Sequence, residues 1–266
     1  MKKYIPFLKS GPLVAVIRMS GVIASGGRGS ALNDAGLAPL IERAFRKGKP
    51  AAVALLINSP GGSPVQSSMI AARIRRLAEE KELPVYAFVE DVAASGGYWL
   101  ACAADEIIVD DNSILGSIGV ISASFGFDQL MARHGVERRV YTAGKSKSML
   151  DPFRAENPED VTRIKDLQEQ IHANFIDQVK SRRGARLSTD RDMFTGDIWV
   201  GQRAIEVGLA DATGHLVPWM KDKFGDKVRF ALYGPKRGLL QRIGGQAASQ
   251  LISSVEDRAA FARFGL

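Results

Sequence analysis

The chain has 266 residues, 45% of them hydrophobic and 24% charged, which excludes a collagen-like, disordered or disulfide-built protein and allows one large α/β domain. A single cysteine, Cys102, cannot form an internal disulfide, so packing alone must hold the fold. The net charge of +7 is spread along the chain without interleaved aromatics. This argues against nucleic acid as a partner and leaves a solvated basic surface, or peripheral contact with anionic lipid.

The start, Met1-Lys2-Lys3, is not followed by the apolar run of a signal peptide, because Lys9, Ser10, Gly11 and Pro12 interrupt it. No window approaches the roughly 20 apolar residues of a bilayer span. The expected location is therefore cytoplasmic, free or peripheral to the inner membrane. In chain order, Leu13 to Met19 is a β-branched strand ending at the glycine-rich stretch Gly21 to Ser30. Ala51 to Ile57 is a continuous apolar run suited to a strand buried on both faces. Pro64 opens a helix to about Glu80 that buries Ile70, Ile74 and Leu77. Pro84 to Val89 reads as a strand, Gly97 to Ala104 as a short helix and Glu106 to Val109 as a strand.

A helix near Asp128 to His134 and a strand near Arg138 to Thr142 follow. Pro158 to Lys180 is a long amphipathic helix, with Val161, Ile164, Leu167, Ile171, Phe175 and Val179 along one face. Short helices around Arg203 and Val217 and a strand over Val228 to Leu232 complete the pattern. The alternation predicts an α/β fold, a mainly parallel sheet with crossover helices. It is read as one domain over 1–266, with a helical tail from about Lys236 that packs on the domain, on a neighbouring subunit or on lipid.

Two glycine-rich strand ends are placed for chemistry, because ligands of open α/β sheets bind at the carboxyl ends of strands. One is Asn58-Ser59-Pro60-Gly61-Gly62; the other is Ala94-Ser95-Gly96-Gly97. A serine between strand and helix can be presented on a sharp turn, and the backbone N–H groups of Gly96, Gly61 and Gly62 are unhindered donors for an oxyanion. A serine hydroxyl also needs a base. His134, His172 and His215 lie in no catalytic pattern, and no histidine falls between Ser95 and His134. That leaves a lysine, and Gly144-Lys145-Ser146-Lys147-Ser148 offers two. A lysine can act as base when burial disfavours its charged form.

At these residues the chain resembles the signal peptide peptidase A family of serine peptidases, which have the ClpP/crotonase-like fold. The motifs that carry the likeness occur in order. They are Asn58 to Gly62, Ala94 to Tyr98, Gly116-Ser117-Ile118-Gly119-Val120, Gly144 to Ser148 with Asp151-Pro152-Phe153, and Phe194-Thr195-Gly196 with Ala204 to Asp211. The resemblance implies Ser95 as nucleophile, Lys147 rather than Lys145 as general base, and Ser117 as a serine that helps hold the lysine amine. It implies oxyanion donors from Gly96 and from Gly61 or Gly62, and neither a metal nor an organic cofactor. It also implies a homo-oligomeric ring or bowl that cleaves signal-peptide remnants, other peptides or partly unfolded proteins. The rival readings are a crotonase-type acyl-CoA enzyme, a Ser-His-Asp peptidase and a catalytically silent scaffold of the same fold.

Overall fold

The computed structural model describes residues 11–25, 31–234 and 258–266. The elements are β1 (Leu13–Ser20), α1 (Asp34–Arg46), β2 (Ala52–Ser59), α2 (Pro64–Lys81), β3 (Val85–Ala94), α3 (Gly96–Ala101), β4 (Glu106–Val109) and β5 (Ile114–Gly116). Then come α4 (Asp128–Arg133), α5 (Pro158–Arg183), β6 (Ile198–Val200), α6 (Gln202–Glu206), β7 (Ala212–Thr213), α7 (Leu216–Phe224) and β8 (Arg229–Tyr233). Most of the tail expected from Lys236 lies outside the described residues; 258–262 are helical. Among the described residues no helix is long and apolar enough to cross a membrane.

Contacts divide the chain into two units, residues 1–118 with 176–266, and residues 119–175. The first unit is an α/β sheet in the order β6-β5-β3-β2-β1-β8, with β4 beside β3 and β7 beside β4. Every pairing is parallel except β5 with β6. The continuous apolar runs of β1 and β2 thus have the two-sided burial their composition asks for. Val14, Ala15, Ile17, Ala52, Val53, Leu55 and Ile57 are fully buried. One face packs under α7 through Val14, Val16, Ala54, Tyr86, Phe88, Ile108 and Met220.

β3 forks. Tyr86 to Val89 pair with β4, whereas Val92 to Ala94 pair with β5. Buried Ser113 fills the fork, its hydroxyl donating to the carbonyls of Val89 and Glu90. This opening lets β3 continue to Ala94 and places Ser95 just past the carboxyl end of this interior strand.

Helix α1 has no counterpart in the expectations from sequence. Asn33 caps it, accepting from Gly36 N–H at 2.8 Å, and Leu37, Ile41, Ala44 and Phe45 form its buried face. The expected strand over Arg138 to Thr142 is corrected: these residues join no ladder and are exposed. Within 119–175 only Phe175 is buried, so there is no neighbouring strand or core for that segment to pair with or pack against. The apolar face of α5 is likewise divided, with Phe175 and Val179 buried and Leu167 and Ile171 exposed.

Candidate active site

Ser95 sits between the last residue of β3 and the first of α3, with φ 51° and ψ −122°. A side chain rarely adopts this conformation, which costs about 1–3 kcal/mol and persists only where the surroundings impose it. The surroundings here are specific. Ser95 N–H donates to Gly116 O at 2.8 Å, Ser95 O accepts from Trp99 N–H at 3.0 Å, and the hydroxyl does not cap α3. The side chain is half-buried and is not used to hold the turn.

Small residues are required around it. A Cβ on Gly61 would lie 2.8 Å from Ser95 Cβ and from Gly96 N. A Cβ on Gly96 would lie 2.4 Å from the hydroxyl of buried Ser67, and one on Gly97 the same distance from Ser59 O. Gly97→Ala is therefore expected to destabilise the protein by about 2 kcal/mol or more, since backbone, not a movable side chain, occupies the space. Urea denaturation would check this, and a change under about 0.5 kcal/mol would contradict the packing.

The loop between β2 and α2 brings its amides to the same place. Ile23 N–H donates to Gly61 O and Ser63 N–H to Ile23 O, which fixes one edge of the Gly61–Gly62 segment. Gly61 N–H goes to Ser59 Oγ at 3.3 Å. The N–H groups of Gly62 and Gly96 have no acceptor among the described residues, and Gly62 N lies 3.4 Å from the Cβ position of Gly96. Two unused donors thus flank the serine turn.

Ser117 follows in the same unit. β5 pairs Gly116 with Ala94, and Ser117, at φ 50°, donates its N–H to Asp197 O at 2.7 Å. Ser95, Ser117, Gly61, Gly62 and Gly96 therefore share one end of one sheet. Lys147 belongs to 119–175, where it is exposed in a turn with its N–H on Gly144 O. Lys145 instead pairs with Glu159 at 3.4 Å.

The other titratable groups are engaged elsewhere. His215 faces Asp110 at 3.5 Å, beside a cavity of about 450 Å³ lined by Leu56, Phe88 and Val217. Burial pushes the Cys102 thiol up to about 12, which removes it as a nucleophile. Among the described residues no cluster of three or more His, Cys, Asp or Glu side chains could hold a metal ion. Sequence reasoning missed Ser59 and Ser67, whose only signal was proximity to the glycines they support.

The profile of peptidase family S49 matches residues 77–222, more than half of the chain. The chain is 47% identical to the Na(+)/H(+) antiporter NhaA of Brucella melitensis over 95% of its own length and 37% of that protein. It is 30% identical to the putative protease slr0021 of Synechocystis over 76% of its length and 69% of that protein. It is also 30% identical to the probable protease SohB of Haemophilus influenzae, over 76% and 57% respectively. The chain thus spans between about a third and two thirds of these relatives. Among solved structures it resembles the 1510-N membrane-bound stomatin-specific protease. A lysine-to-alanine variant of that protein, in complex with a substrate peptide, matches with TM-score 0.52 and 15% identity, over 93% of this chain and 99% of the other. A serine-to-alanine variant matches with TM-score 0.51 and 16% identity, over 85% and 99%. This likeness bears out the ClpP/crotonase-like fold.

Proposed function

The chain belongs to peptidase family S49, and from that premise we propose that it is a serine endopeptidase in which Ser95 is the nucleophile and Lys147 the general base. The observation that carries the reading is the Ser95 turn itself. A half-buried serine at positive φ ends a parallel strand, its hydroxyl uncommitted, with the unused N–H groups of Gly62 and Gly96 beside it. In the proposed reaction the Lys147 amine takes the hydroxyl proton as Ser95 Oγ bonds to the peptide carbonyl carbon. The carbonyl oxygen becomes an oxyanion held by Gly62 and Gly96. The carbonyl re-forms as the C–N bond breaks, and the proton passes to the leaving amine. Water then hydrolyses the ester by the same steps.

An acyl-CoA enzyme would not need a serine at this turn, and a scaffold would not need uncommitted donors around it. The lysine assignment draws support from Lys145, which is engaged with Glu159 whereas Lys147 makes no side-chain hydrogen bond or ion pair among the described residues. The substrate-bound lysine-to-alanine variant of the stomatin-specific protease supports both a lysine and a peptide.

A homo-oligomer belongs to the same proposal. Phe125 is 80% and Tyr141 91% exposed, and Phe127 stacks on Phe153 with ring centroids 5.5 Å apart. A surface this apolar over a segment with one buried residue calls for cover. The substrates proposed are peptides, signal-peptide remnants and partly unfolded proteins. The proposed place of action is the cytoplasmic side, with the net charge of +7 supporting peripheral contact with the inner membrane.

The test is hydrolysis of fluorogenic peptides and an unfolded protein by wild type, Lys147→Ala and Lys145→Ala, with the mass of each assembly measured by light scattering. Lys147→Ala is expected to lose about 10³-fold or more in kcat without a change in assembly, and Lys145→Ala to stay within about twofold. Full activity in Lys147→Ala would remove it as the base. A monomeric, fully active wild type would remove the oligomer.

A further inference from the structure

Ser59, the last residue of β2, is fully buried and does not face the place where substrate would bind. Its hydroxyl donates to Gly21 O at 2.7 Å and accepts from Gly61 N–H at 3.3 Å. Its carbonyl oxygen occupies the place a Cβ on Gly97 would need. The β2–β3 register also shifts here, from Ile57 opposite Val89 to Ser59 opposite Ala93. One side chain therefore links the end of β1, the Gly61–Gly62 loop and, through its own backbone, the first turn of α3.

The consequence lies in which amide remains available. The Gly61 carbonyl accepts from Ile23 N–H and Ser63 N–H donates to Ile23 O, which holds the Gly61–Gly62 peptide from the β1 side. Because an amide N–H lies trans to its own carbonyl, Gly62 N–H points away from the β1 side, while Gly61 N–H, which belongs to the preceding Pro60–Gly61 peptide, is absorbed by Ser59. We propose that Ser59 is a positioning residue that selects Gly62 N–H, together with Gly96 N–H, as the donor pair for the oxyanion. Without its hydroxyl, Gly61 N–H is buried with no acceptor, and the Pro60–Gly61 peptide gains by turning to find one, which changes the Gly61 dihedrals that carry the next peptide. The alignment of Gly62 N–H is then lost, although nothing that touches substrate has been removed.

This inference rests on the peptidase reading above. Its test separates oxyanion binding from peptide binding. A peptide aldehyde adds reversibly to Ser95, an Oγ–C bond forming as the proton passes to the base, and its affinity reports the oxyanion donors. An uncleaved peptide bound to Ser95→Ala reports ground-state contacts alone. Ser59→Ala is expected to lower kcat by about 10- to 100-fold with KM within about twofold, and to weaken the aldehyde by a similar factor. Peptide affinity of Ser95→Ala/Ser59→Ala should match that of Ser95→Ala. Ser59→Cys, close in size and a weaker acceptor, should fall in the same direction by less, and carries the test if Ser59→Ala is too unstable to purify.

Unchanged kcat in both variants, or aldehyde and uncleaved peptide weakened equally, overturns the assignment, since a residue that merely holds the loop together would affect both ligands. A wild-type protein that neither hydrolyses peptides nor binds the aldehyde overturns the peptidase reading itself, and this inference with it.

Discussion

Ser95→Ala is expected to reduce peptide hydrolysis by about 10⁴-fold or more while leaving thermal unfolding within about 0.5 kcal/mol of wild type. The two halves of this expectation come from separate observations. The hydroxyl neither caps α3 nor holds the turn, so its removal costs no structural hydrogen bond. Alanine keeps the Cβ and hence the same strain at φ 51°. Ser95→Gly extends the test: it should be equally inactive and more stable by about 1 kcal/mol, because glycine adopts positive φ without penalty. Steady-state assays alongside calorimetry decide the matter. Residual activity of several per cent in Ser95→Ala would mean that another group attacks the peptide.

The second large effect concerns stability. Arg183, near the end of α5, has a side chain 1% exposed and grips both carboxylate oxygens of Asp211 at 2.8 and 2.9 Å. Its Nε donates to Gly208 O at 2.8 Å. Next to it Arg182 caps the carbonyls that follow α3, donating to Cys102 O and Ala104 O. Arg183→Leu leaves a largely buried carboxylate with only the more distant, half-exposed Arg186 and is expected to destabilise the protein by about 3 kcal/mol at pH 7.

The pH dependence carries a definite sign. Burial pushes the Asp211 carboxyl up, but the Arg183 fork and the Ile107 N–H outweigh it and hold the group below the usual carboxylate range. In the wild type this stability is present above the unfolded carboxylate value of about 4 and is lost as pH falls through the lower folded value. In Arg183→Leu burial is opposed only by the Ile107 N–H and by the half-exposed Arg186 at 3.8 Å, so protonation relieves the strain. The deficit relative to wild type should therefore shrink as pH falls from 7 towards 4. Urea denaturation across that range checks it, and a deficit independent of pH would show that Asp211 is not its origin.

Much of the candidate site at the end of the sheet was legible in the sequence because it is built from backbone groups. Glycines at 61, 62, 96 and 97, each following an apolar run, mark places where side chains cannot fit, and the structure shows what they would strike. Ser59 was not legible, since its role depends on a carbonyl 38 residues earlier in the chain. Helix α1 was hidden although Leu37, Ile41, Ala44 and Phe45 have helical spacing. Gly36 and Pro39 lower helix propensity locally, and the packed face outweighs them. Arg138 to Thr142 erred in the opposite direction: local β propensity in Val140, Tyr141 and Thr142 has no ladder to join. The choice of Lys147 over Lys145 as the proposed base came only from resemblance, because the two lysines differ in their neighbours and not in their pattern.

The pairing of β1 with β8 has a consequence for the chain during synthesis. Leu13 lies opposite Arg229 and Ile17 opposite Tyr233, so β1 acquires this neighbour only after some two hundred further residues have been made. Until then β1, with Val14 to Ile17 destined for full burial or nearly so, presents an open edge that other nascent chains can pair with. The loop-closure entropy of so distant a contact makes it a late event. A sheet built this way is completed last on the side away from Ser95, and a holdase chaperone that shields β1 and β2 should raise the yield of folded protein.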